Sequence, residues 1–231
     1  MQALIIFNLT HFAANKSPPP SSWVGERKRA EMSETPVEKH FSKELAVLYE
    51  FHQWKHACAI LKSDFPNEWK DLIAMLTSFR LQKSWITKGG GNKSELAKWI
   101  DHFLGSRGWV EKQFATSVTV DESKIESPTH KVDCYKNRIA LELEWNNKDP
   151  FFDRDLNNFR LLFDLRAISV GIIITRCDDL QDIFDDLGRG SSYGMSTTHM
   201  SKLLPRIEGG SGAGCPILVI GMKKTLYTEE F

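Results

Sequence analysis

The 231-residue chain has no run approaching eighteen consecutive apolar residues, so nothing in it reads as a membrane-spanning helix. It has no excess of charge either: 30 Lys and Arg stand against 30 Asp and Glu, with a pI of about 7.1. A strongly basic chain would advertise nucleic acid as a partner. Balance does not exclude one, because a carboxylate-rich site offsets a basic cleft elsewhere. Cysteine is sparse. Cys58, Cys134, Cys177 and Cys215 lie far apart without metal-ligand spacing, which argues against a zinc site and suits reduced thiols in a cytoplasmic protein. No GK[ST] follows the glycine run Gly89-Gly90-Gly91, so a nucleotide loop is not indicated. The opening ALIIFNL has no basic flank before it and makes a poor signal peptide.

What is present falls into a flexible arm, residues 1–36, and a single domain over residues 37–231. The arm is polar, with Pro18-Pro19-Pro20 and a charged run. Residues 37–80 read as a helical portion. Phe41, Leu45, Leu48, Phe51 and Cys58 recur at helical steps with no Gly or Pro between Val37 and Ser63, and a second helix runs from Pro66 to about Phe79. His52 and His56 have no third ligand nearby and read as ordinary surface or packing residues. Asn92 or Ser94 caps a further helix through Phe103, and Trp109 to Val120 predicts a strand with Phe114, Thr116, Val118 and Val120 on one face.

The densest chemistry lies in Lys131 to Arg160. From Ile139 to Trp145, bulky apolar residues alternate with Ala140, Glu142 and Glu144, so a strand places both glutamates on one face. Lys136 and Asn137 form a turn that brings Asp133 back beside Glu142. Three carboxylates at one spot repel unless a cation joins them, and all-oxygen ligation suits Mg²⁺. The plain alternative is an amphipathic strand with a solvated acidic face. Asp149-Pro150 then starts a helix with Phe152, Leu156, Phe159 and Phe163 as its inward stripe. ISVGIIIT, Ile168 to Thr175, reads as a strand buried on both faces, which makes a solvent-facing hairpin the weaker reading. Further on come an acidic helix, DDLQDIFDDL, a flexible loop at Gly188 to Gly194, and a helix opened by Ser196-Thr197-Thr198 with Lys202 and Arg206 along it. CPILVIGM closes as a buried strand.

The pattern Asp133, eight residues, Glu142, one residue, Glu144 resembles the PD-(D/E)xK nucleases, in the variant where the final Lys is replaced. With the helix, the buried strand and the Ser-Thr loop it resembles the BglII-like and BamHI-like restriction endonucleases over roughly Gly89 to Met222. No Pro precedes Asp133; Val132 stands there. The resemblance implies an α/β fold, a mixed central β-sheet flanked by helices, with a catalytic core over residues 89–222. It implies a Mg²⁺-dependent type II endonuclease that cuts a palindromic site in double-stranded DNA as a homodimer. Asp133 and Glu142 would hold the metal, Glu144 would orient or deprotonate water, and Glu95 is the candidate for a fourth polar group. Asn146, Asn147 and Lys148 beside the site, with Ser196, Thr197, Thr198 and Lys202, would contact DNA. A structure-selective repair nuclease of the same core and a non-catalytic DNA-binding module are the competing readings.

Overall fold

The computed structural model describes residues 37–88, 93–126 and 129–229, without the side chain of Val118. The predicted arm at residues 1–36 and the glycine run at residues 89–91 lie outside these. After a 3-10 turn at Val37–His40 the elements are α1 (Lys43–Leu48), β1 (Tyr49–Trp54), α2 (Ala57–Asp64), α3 (Pro66–Ser78), β2 (Leu81–Gln82), α4 (Lys83–Thr87) and α5 (Glu95–Gly105). They continue with β3 (Val110–Lys112), β4 (Ser117–Val120), β5 (Ser123–Glu126), β6 (Val132–Lys136), β7 (Ile139–Glu144) and α6 (Phe151–Asp164). The last are β8 (Val170–Arg176), α7 (Leu180–Asp186), α8 (Met200–Glu208), β9 (Ile217–Met222) and β10 (Tyr227–Thr228).

Six strands form one mixed sheet in the order β1-β9-β8-β7-β6-β3. β7, β8 and β9 run parallel, and β1, β6 and β3 pair antiparallel to their neighbours. β7, β8 and β9 are buried along their whole length, as strands covered by helices on both faces must be. One core packs Leu141, Ile172 and Leu218 beneath α2, α3, α5 and α7. The other packs Ala140, Ile173 and Val219 beneath α6 and α8. The expected mixed sheet flanked by helices is therefore what the chain forms.

Two local expectations change. The helix predicted from Val37 to Ser63 is broken, because Tyr49–Trp54 forms β1. Tyr49 and Phe51 are buried, and the backbone pairs with β9. That pairing with a distant strand outweighs a local helical period. The chain then turns at Lys55 and His56, both with positive φ, without the Gly or Pro that would have signalled it. The strand predicted from Trp109 to Val120 also splits. β3 ends at Lys112, the Thr129 hydroxyl accepts the Phe114 amide proton at 3.1 Å, and among the described residues β4 pairs with β5 alone, in a separate hairpin where Val120 is exposed.

Candidate active site

The acids meet where β6 and β7 part. Paired residues end at Cys134 and Leu141. Beyond them the side chains take over: the Leu143 amide donates to Asp133 Oδ2 at 3.0 Å, and the Asp133 amide donates to Glu142 Oε2 at 3.2 Å. The fork therefore clamps Asp133 and Glu142 together. Alternation along β7 sends Glu142 and Glu144 to the side of Ala140, where α6 lies. There Glu144 Oε2 accepts from the Asn147 amide at 2.8 Å, and Glu144 Oε1 faces Arg154 Nη2 at 3.2 Å. Neither glutamate is solvated: their exposures are 1% and 2%. The acidic face is not a solvated one; a helix roofs it.

Burial and mutual repulsion set the charges. Burial raises the Asp133 carboxyl, against the pull of the Leu143 amide and of Lys93. Glu142 is raised well above the carboxylate range, by burial first and then by Asp155 and Asp133. Glu144 is pushed from 4.5 to about 9 by burial and by hydrogen bonding to Asp155, with Asn147 and Arg154 opposing. A carboxyl raised in the folded state adds stability that is present in acid and lost as pH climbs through its folded value. Thermal melting of the metal-free protein should therefore show Tm falling between about pH 4.5 and about pH 9, with Glu144→Gln flattening the decline. Parallel curves would mean that Glu144 stays ionised throughout.

Beside the fork lies a cleft of about 740 Å³. Asp133 borders it, with Asn146 and Asn147, and so do the basic side chains Lys88, Lys93, Lys98 and Arg189. Asp101 and Glu95 border it too, so the four basic groups face three carboxylates. The Glu95 carboxylate is paired with Lys88 at 3.2 Å and Lys98 at 2.9 Å. On α5 it is Asp101 whose charge reaches Asp133. Asp101 also pairs with Lys93.

The two segments expected to meet DNA are joined to each other. Lys148 bridges Thr197, the Thr198 amide donates to the Asn147 carbonyl at 2.8 Å, and the Asp149 amide donates to the Ser196 carbonyl at 3.1 Å. Asn146, Asn147, Lys148 and Ser196 are exposed. Thr197 is half-buried, its hydroxyl accepting from Arg176 at 3.1 Å and donating to the Gly194 carbonyl at 2.8 Å. Thr198 is fully buried and presents no side chain to a ligand here. The three do not open a helix. α8 starts at Met200 after His199, and Asp178 accepts the Ser201 amide at 3.1 Å. Nor is Gly188 to Gly194 a loose loop, since Tyr193 is buried and stacked on Phe184 at 4.0 Å. Asp149 does not cap α6; it faces Lys202 at 3.8 Å and Arg206 at 3.7 Å on α8.

The model of the restriction endonuclease BglII/BglIII family matches residues 49–222. The chain belongs to that family. A restriction endonuclease is a DNA-binding hydrolase, which fits a carboxylate fork beside a cleft that carries basic side chains. The match runs from the first residue of β1 to the last of β9, and Tyr49 and Met222 pair across the sheet. The family domain thus begins about forty residues before Gly89, at the strand that had read as helix. A search of curated proteins finds no match.

Two residues of the acidic cluster in this restriction endonuclease family member escaped the sequence reading. Asp155 is fully buried on α6, and Arg154 joins it to Glu144. The signal was there to be found: Asp155 lies on the helix face of Phe152, Leu156 and Phe159, where a charge is out of place unless it is paired. Among the described residues no three His, Cys, Asp or Glu side chains are spaced to hold a metal ion. The donor chemistry nonetheless suits a hard cation. The cluster is all oxygen, and among the described residues Glu142 Oε1 and Asp155 Oδ2 are buried without a hydrogen-bond partner. No described helix is long and apolar enough to cross a membrane.

Proposed function

We propose that the protein is a Mg²⁺-dependent type II restriction endonuclease that cuts both strands of a palindromic site in double-stranded DNA, acting as a homodimer. The observation that carries this reading is the clamp of Asp133 and Glu142 at the β6–β7 fork, next to a cleft with four basic side chains. Lys88, Lys93, Lys98 and Arg189 receive the phosphate backbone. Asp133 and Glu142 would hold the ion, which when bound polarises the scissile phosphate and lowers the pKa of the attacking water. Glu144, held protonated by burial in the metal-free protein, would be ionised by the positive charge of the bound ion and would then accept the water's proton. Asn147 and Arg154 hold Glu144 in place for that transfer. A two-fold dimer matches the symmetry of a palindrome and brings one site to each strand.

The test is digestion of a plasmid of known sequence by the purified protein, with Mg²⁺ and with chelator, followed by mapping of the ends. Discrete Mg²⁺-dependent fragments with one shared sequence at their ends are expected. Nicking confined to branched or damaged substrates would make the protein a repair nuclease instead. Binding without Mg²⁺-dependent cutting would leave only a DNA-binding module.

Recognition is assigned to the joined loops. Ser196→Ala should weaken specific binding by about 1–3 kcal/mol if the hydroxyl touches a base edge, with little effect on non-specific DNA. Lys202→Ala should weaken both and lower the salt slope by about one, as a phosphate contact does. The check is a binding titration on specific and random duplexes at several salt concentrations. Equal losses of the two variants on both duplexes would remove the loop from base reading.

A further inference from the structure

The acidic cluster holds a cation of its own. Arg154 Nε lies 2.8 Å and Nη2 2.7 Å from Asp155 Oδ1, and the same Nη2 lies 3.2 Å from Glu144 Oε1. The guanidinium also sits over the Phe151 ring at 4.2 Å. One positive group therefore serves the acids contributed by β7 and α6. It leaves the cluster incomplete. Asp155 is fully buried, and among the described residues its Oδ2 has no partner, as is true of Glu142 Oε1. Asp155 also sits between Phe152 and Leu156 on the packed face of α6, where the surrounding core would accept an apolar side chain. A buried carboxylate that keeps an unpaired oxygen is costly unless a ligand completes it. Asp155 opposes ionisation of both Glu142 and Glu144, so it shares their space.

We infer that Asp155 is a fourth carboxylate of the metal site, and that Arg154 is a resident cation which neutralises the site before a divalent ion arrives. The inference rests on the Mg²⁺ reading above and deepens it. Arg154 holds Asp155 Oδ1 and Glu144 Oε1 and leaves Asp155 Oδ2 and Glu142 Oε1 open, so its positive charge beside those oxygens sets how tightly an ion is held. Asp155 would supply charge and an oxygen from the helix, in addition to the two ligands from the strands.

Ca²⁺ binding to the full chain, measured by titration calorimetry without DNA, tests this directly. Asp155→Asn, nearly the same shape, should weaken Ca²⁺ binding at least about tenfold. Arg154→Gln should tighten it at least about threefold, because a neighbouring positive charge is gone. Unchanged affinity in Asp155→Asn would overturn the assignment, as would weaker binding in Arg154→Gln. The asparagine variant decides the matter even if Arg154→Gln fails to fold. Absence of Ca²⁺ binding by the wild-type protein would instead sink the metal reading itself.

Discussion

Asp133→Ala and Glu142→Ala should each abolish DNA cleavage while leaving specific DNA binding largely intact. Both side chains accept from backbone amides of the β6–β7 fork, and neither is assigned to a base. Even residues that merely support a metal ligand cost about 10–100-fold when removed, so losing a direct ligand should exceed a hundredfold. The Asp133 backbone amide loses its acceptor in Glu142→Ala, which adds a structural penalty of about 1–3 kcal/mol for an unsatisfied buried donor. Cleavage and gel-shift assays on the same preparations separate the two effects. Retention of more than a few per cent of wild-type cleavage by either variant would count against the site.

The second large effect is on stability. Phe159 is fully buried on α6 and packs its ring against Gly171 of β8, where any Cβ would collide with it. This contact seats the helix that carries Arg154 and Asp155 over β7. Phe159→Ala removes the ring from a site bounded by backbone, which cannot collapse inward, so a cost of about 3–5 kcal/mol is expected. For a domain of this size that lowers Tm by roughly 10 °C. A urea titration reads it as a lower midpoint at unchanged slope. A cost below about 1 kcal/mol would mean that α6 is not held by this contact.

Much of this arrangement was legible from short-range pattern. The period-two alternation of β7, the continuous apolar runs of β8 and β9, and the caps of α5 and α6's inward stripe are local signals, and each element stands where they indicated. What escaped depends on residues far apart in the chain. β1 exists because Met222 and its neighbours pair with it, and residues 49–54 contain no breaker to announce a strand. Thr198 looked like a DNA-reading hydroxyl at a helix start, yet its amide is bound to Asn147 and its side chain is buried. The depth of Glu142 and Glu144 was equally hidden. Alternation separates two faces, but only the packing of α6 decides that the acidic face is dry. Asp155 is the counterexample, a charge on an apolar stripe that a stricter reading of the helix would have flagged.

The central claim is that Asp133, Glu142 and Glu144 form one metal-holding site rather than an acidic surface. Thermal melting of wild type and Glu142→Gln at pH 8 and low salt, with and without millimolar Mg²⁺, tests it without DNA. Glutamine keeps an acceptor for the Asp133 amide and removes the carboxyl whose ionisation burial and Asp155 oppose. At this pH the unfolded glutamate is ionised, so folding must either bury that charge or take up a proton, and glutamine avoids both. The metal-free Tm should therefore rise. The increment from Mg²⁺, about 2.7 kcal/mol at a hundredfold excess over Kd for the wild-type protein, should shrink. Melting temperatures of the variant within error of wild type under both conditions would contradict the account, because charges that neither repel nor bind an ion together are not one site.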